Sequence, residues 1–121
     1  MPLAARWRSL ARLPPARGRD AMPGVYELAD AERATVYIGQ SATDVPNRIR
    51  QHLAAGGCVA EHARYWRYAY SAVPQAEEAR LVADYRARHD GALPACNRAT
   101  PLPRDARRRA VERFGGAGGG E

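Results

Sequence analysis

Tyr26, Tyr37, Arg48, His52 and Glu78 are the residues of this 121-residue chain whose types and spacing could carry chemistry. Hydrolysis of a phosphodiester asks for three things: a group that takes or orients water's proton, positive charge on a phosphate that gains a second negative charge, and commonly a divalent cation held by a carboxylate. Taken singly, each of these side chains has an ordinary structural use. A strand tyrosine packs, a helix arginine sits in solvent, and an acid in a helix's first turn answers the macrodipole. As a set they cover all three requirements, so the question passes to the elements that must bring them together.

TVYIGQS, residues 35–41, alternates as a strand, with Val36 and Ile38 on one face and Thr35, Tyr37 and Gly39 on the other. GVYELAD, residues 24–30, reads the same way, and a four-residue loop at 30–33 makes the two a hairpin with Tyr26 directly opposite Tyr37. Gly39 leaves open space beside the two rings. Asp44 is a candidate N-cap and Pro46 suits a first helical turn; Val45, Ile49 and Leu53 then form the buried stripe of a helix over about 45–54. Arg48 and His52, four apart, share one edge of its packed face. Gly56 and Gly57 end it. ARYWRYAYSAV predicts a third strand, with Trp66, Tyr68 and Tyr70 on one side and Tyr65, Arg67 and Ala69 on the other. Pro74 opens a second helix through about Arg88, and Glu78 lies in line with its stripe of Leu81, Val82 and Tyr85. A turn-rich loop leads to Asn97.

All 19 basic residues are arginine, against 13 acids, and the net charge of +6 favours a polyanionic partner. Candidate nucleic-acid contacts are Arg50, Arg104, Arg107, Arg108 and Arg109, the last four on a basic helix expected over 103–114. No run approaches the roughly 20 apolar residues of a membrane helix, and no leader resembles a secretory signal, so a cytoplasmic protein without a membrane role is expected. Cys58 and Cys96 are expected as free thiols. A zinc site from Cys58, His62, His89 and Cys96 lacks the usual ligand spacing. Leu3, Trp7 and Leu10 fall at helical spacing before Pro14 and Pro15, which predicts a short amphipathic arm packed on the domain rather than a transit peptide. The divisions expected are a basic arm at 1–22, one domain at 23–98, a basic helix at 99–114 and a glycine-rich tail at 115–121.

GVY at 24–26, YIG at 37–39, NRIRQH at 47–52, EARLV at 78–82 and Asn97 resemble, in order, the motifs of the GIY-YIG endonuclease family. The resemblance implies an α+β fold, a small three-stranded antiparallel sheet flanked by helices in the order β-β-α-β-α, and Mg²⁺- or Mn²⁺-dependent hydrolysis of DNA. Carried over, Tyr37 is the general base or the group that orients water, with Tyr26 in the same network. Arg48 clamps the scissile phosphate and His52 bonds the nucleophile or a phosphate oxygen. Glu78 holds the metal, Gly24 and Gly39 support the site, and Asn97 fixes the loop and the glutamate's helix. Gln40 stands where some relatives carry a lysine that could activate the tyrosine. The segments outside the domain are too short to form a separate sequence-reading domain, so DNA specificity is expected to be low, structural or supplied by a targeting partner protein. The alternative is an accessory module of the same fold that binds nucleic acid without cutting it.

Overall fold

The computed structural model describes residues 3–14 and 21–99. In chain order these form β1 (Arg8–Ser9), a single 3-10 turn (Leu10–Arg12), β2 (Gly24–Ala29), β3 (Thr35–Ser41), α1 (Val45–Ala55), α2 (Cys58–His62), β4 (Tyr65–Tyr70), α3 (Pro74–Arg88) and α4 (Ala95–Ala99). The fold is α+β. Among the described residues the sheet has four strands rather than three, in the order β1-β4-β2-β3, each neighbouring pair antiparallel.

The added strand comes from the arm, whose described residues 3–14 form this strand and a 3-10 turn and not the helix their spacing suggests. Leu3 packs with Val25, Ile38 and Leu81, whereas Leu10 and Leu13 pack with the second group of buried residues, around Tyr26 and Trp66. Serving two separate clusters requires reach, which an extended chain supplies at more than twice the rise per residue of a helix. The arm also pairs with the edge of β4 that would otherwise be left open: Arg8 faces Trp66, Ser9 faces Tyr65, and the Leu10 amide donates to the Arg64 carbonyl at 3.0 Å.

The hairpin register differs from the expected one. Tyr26 lies opposite Gly39, and Tyr37 opposite Leu28, with a bulge between Leu28 and Ala29. The turn explains the shift. Asp30 accepts from the amides of Glu32 and Ala34 at 2.9 and 3.0 Å, and Ala34 returns its carbonyl to the Asp30 amide, so the loop closes one residue later than predicted. The bulge leaves Val36 and Tyr37 in the same buried cluster, whereas strict alternation put them on opposite faces.

Both faces of the sheet are covered. Tyr26, Leu28, Val36, Tyr37 and Trp66 pack with Val45, Ile49, Val59 and Cys96 from α1, α2 and α4; Val25 and Ile38 pack with Leu81 of α3. The helices α1 and α3 fall where the spacing placed them, while the five-residue α2 and α4 were not anticipated. Those two short helices are joined by a disulfide between Cys58 and Cys96, whose Cα atoms are 5.5 Å apart, so the expectation of free thiols is corrected. The pair is 38 residues apart in sequence, and only the packing of α2 and α4 on one side of the sheet brings it together. Among the described residues no helix is long and apolar enough to cross a membrane.

Candidate functional site

Tyr37 is the centre around which the other candidates gather. Gly39, two residues on, places Tyr26 there: a Cβ at position 39 would fall 2.5 Å from the Tyr26 hydroxyl oxygen and 2.9 Å from the Tyr37 ring. The open space is therefore filled by Tyr26, whose ring centroid lies 6.1 Å from that of Tyr37 as a diagonal cross-strand neighbour. Gly24 has a comparable duty at the other end of the hairpin. Its φ of +153° and its approach to the Ala69 backbone leave no room for a side chain.

The start of α1 is tied to the start of β2, and this tie aims the helix. Asp44 occupies the N-cap position, yet its carboxylate accepts from the Met22 amide at 3.0 Å rather than from a helix N–H, while the Met22 carbonyl accepts from the Val45 amide at 2.8 Å. With Val45, Pro46 and Ile49 buried, the flank carrying Arg48 and His52 turns toward the tyrosines. The His52 ring meets the Tyr37 ring edge-on with centroids 4.9 Å apart. From the other face of the sheet, α3 packs on β3 and brings Glu78 into the electrostatic environment of both phenols.

Burial, first, and then Glu78 push the Tyr37 phenol up to about 12, with Arg48 partly offsetting them. Tyr26 is raised well above the usual tyrosine value, first by burial, then by Tyr37, with Arg48 opposing and Glu78 adding. His52 is lowered, by burial and then by the Arg48 charge. At neutral pH the site therefore presents two neutral phenols and a neutral imidazole between an arginine and a glutamate. Glu77 stands apart from this group and pairs with Arg80 on the exposed side of α3, which lowers its pKa.

Asn97 acts on β3 rather than on the helix that carries Glu78. Its carboxamide accepts from the Ile38 amide at 2.9 Å and donates to the Ile38 carbonyl at 3.0 Å, completing the outer edge of β3 as a neighbouring strand would. Arg50, expected to contact nucleic acid, has both terminal nitrogens buried without a hydrogen-bond partner. Arg104, Arg107, Arg108 and Arg109 lie outside the described residues. Sequence reasoning did not anticipate the clasp on the arm, in which Glu27, 2% exposed, pairs with Arg67 at 2.7 Å. Its other oxygen accepts from the Leu3 amide at 3.5 Å, and the Arg67 guanidinium lies 3.9 Å over the Trp7 ring. A glutamate within the otherwise apolar strand Val25, Tyr26, Leu28, Ala29 was the signal available.

A family model described as Domain of unknown function (DUF7508) matches residues 1–88. The chain belongs to that family. The DUF7508 match takes in the arm, the hairpin, α1 and α3, and with them Tyr26, Tyr37, Arg48, His52 and Glu78; it ends before Cys96 and Asn97. No curated protein matches the chain, and no solved structure does.

Among the described residues no three His, Cys, Asp or Glu side chains gather as a ready metal cage. A cation at this site would rest on Glu78 and on water, the manner in which Mg²⁺ is usually bound and not that of a protein-caged zinc. Glu78 is the carboxylate whose charge reaches both phenols, and it is the residue that would hold such an ion.

Proposed function

We propose that this DUF7508 protein is a divalent-metal-dependent endonuclease of the GIY-YIG type, hydrolysing DNA phosphodiester bonds by a one-metal route. In this reading β2, β3 and β4 are the family's three-stranded sheet, α1 and α3 its catalytic helices, and β1 an addition along the sheet's far edge. The observation that carries the proposal is the convergence of Tyr26, Arg48, His52 and Glu78 on Tyr37 from β2, α1 and α3.

Of the two roles open to Tyr37, orienting water suits a buried phenol that keeps its proton. Its hydroxyl bonds the attacking water, and Tyr26 supports the ring from across the hairpin. His52 is the group with a free lone pair at neutral pH, so it takes the proton as the water's oxygen bonds to phosphorus. The bond from phosphorus to one deoxyribose oxygen breaks, and that leaving oxygen takes a proton from solvent. Arg48 holds a nonbridging phosphate oxygen and gains strength as charge builds there. Glu78 would hold Mg²⁺ or Mn²⁺, which supplies further positive charge to the phosphate.

Binding without turnover is the competing account. A module that only gripped the phosphate backbone would gain nothing from a carboxylate acting on the same tyrosines as the arginine meant to hold it. Incubation of the purified chain with supercoiled, nicked and branched DNA, with Mg²⁺, Mn²⁺ or a chelator, tests the proposal. Divalent-dependent cleavage is expected, and binding without cleavage on every substrate would favour the accessory module.

A further inference from the structure

Cys96 and Asn97 are neighbours in α4 that fasten it in two directions. Cys96, fully buried, is bonded to Cys58 at the start of α2, and Asn97 closes its pair of hydrogen bonds on Ile38. A helix of five residues does not hold itself in water, so the place of α4 depends on such tertiary ties. Ile38 adjoins Tyr37 on β3, an edge strand paired on its other side only to β2. The covalent bond, the short helix, the asparagine and the site tyrosine thus form one continuous connection.

We propose that the Cys58–Cys96 disulfide is a redox-responsive fastener of the site: reduction by a dithiol releases α4 from α2, weakens the hold of Asn97 on Ile38 and loosens the part of β3 that carries Tyr37. Cys58 is partly exposed whereas Cys96 is sealed, so the exchange begins at the Cys58 sulfur. One thiolate of the dithiol attacks that sulfur, the Cys58–Cys96 bond breaks, and Cys96 leaves as a thiolate that takes up a proton. The second thiolate of the reductant then attacks the mixed disulfide and releases Cys58, which is protonated in turn. Two electrons pass to the protein and the reductant leaves as its own disulfide. The effect on catalysis rests on the nuclease reading, whereas the effect on β3 does not.

The test is amide hydrogen exchange on the full chain, air-oxidised or treated with dithiothreitol, with thiol alkylation confirming the state of both cysteines. Reduction is expected to speed exchange at Ile38 by roughly tenfold, the loss of about one net hydrogen bond or a little more, while amides of β2, which is bonded on both sides, stay within about twofold. Cys58→Ser should reproduce the fast Ile38 exchange without reductant. Asn97→Ala should show it in both redox states. Unchanged Ile38 exchange after complete reduction would overturn the proposal, and so would an equal loss of protection throughout β2 and β4, which would make the bond a general staple. Because this readout needs no DNA, it decides the fastener whether or not the oxidised protein cuts. If it does cut, reduction should slow the cleavage severalfold.

Discussion

With its pKa raised to about 12, the Tyr37 phenol is ionised in roughly one molecule in 10⁵ at pH 7, a population too small to serve as the resting base. His52, lowered from its usual value, is neutral there and loses that state only as the pH falls through its depressed pKa. The expected cleavage profile is therefore flat from pH 7 to 9.5 and declines on the acid side below about 6.5, the ordinary imidazole value. Tyr37→Phe should lower the rate by about tenfold to a hundredfold, as the loss of one oriented hydrogen bond would, and keep the shape of the profile; His52→Gln should remove the acid limb. A rate that climbs tenfold per pH unit between 7 and 9.5 would return the base to Tyr37. Strand spacing placed Tyr26 and Tyr37 on one face of one hairpin, but directly opposite each other, whereas the structure makes them diagonal neighbours. Spacing could not give the register, because Asp30 decides it through side-chain bonds to the turn's own backbone. Nor could it give the protonation states, which follow from burial on both faces of the sheet.

The least legible elements were those too short to show a period. A 15-residue helix such as α3 announces its face through Leu81, Val82 and Tyr85, but five residues make hardly more than one turn, and α2 and α4 show no period. With α4 unseen, neither the partner of Cys96 nor the target of Asn97 could be read. Asn97→Ala should cost about 2 kcal/mol in denaturant unfolding, because the amide and carbonyl of Ile38, itself 1% exposed, lose their partner together. A change below a few tenths would show that water takes over the edge of β3. The arm is hard to read for a related reason: three apolar residues at helical spacing say nothing about the open edge of β4 that recruits them. Its clasp should be sensitive to either partner. Removing the arginine in Arg67→Ala leaves the buried Glu27 carboxylate uncompensated and should destabilise the chain by about 3 kcal/mol, read as a lowered unfolding midpoint. An unchanged midpoint would mean that the β1–β4 pairing and the packing of Leu3, Leu10 and Leu13 hold the arm without the clasp.

Over the whole molecule, the surplus of six positive charges is the property that sequence alone establishes most firmly, and it bears on affinity rather than on chemistry. Neutralising Arg104, Arg107, Arg108 and Arg109 together should weaken DNA binding and flatten its dependence on salt by roughly 0.9 in log–log slope for each phosphate that the segment no longer neutralises. A salt slope equal to the parent's would remove that segment from the interface. The hairpin, the third strand and the two long helices were readable from periodicity and turn chemistry, and the α+β class from the resemblance, whereas the four-stranded sheet and the cross-link depend on packing between distant segments. Whether the whole is a nuclease turns on one carboxylate. The decisive measurement compares the parent, Glu78→Gln and Glu77→Gln for binding and for cleavage of plasmid and branched DNA in Mg²⁺ and Mn²⁺. Glu77, paired with Arg80 on the outside of α3, is the control for charge on the same helix. Glu78→Gln should bind DNA at least as well as the parent yet cut it at least about a hundredfold more slowly, while Glu77→Gln stays near the parent's rate. Parental cleavage by Glu78→Gln, or no divalent-dependent cleavage by the parent on any substrate, would contradict a one-metal nuclease.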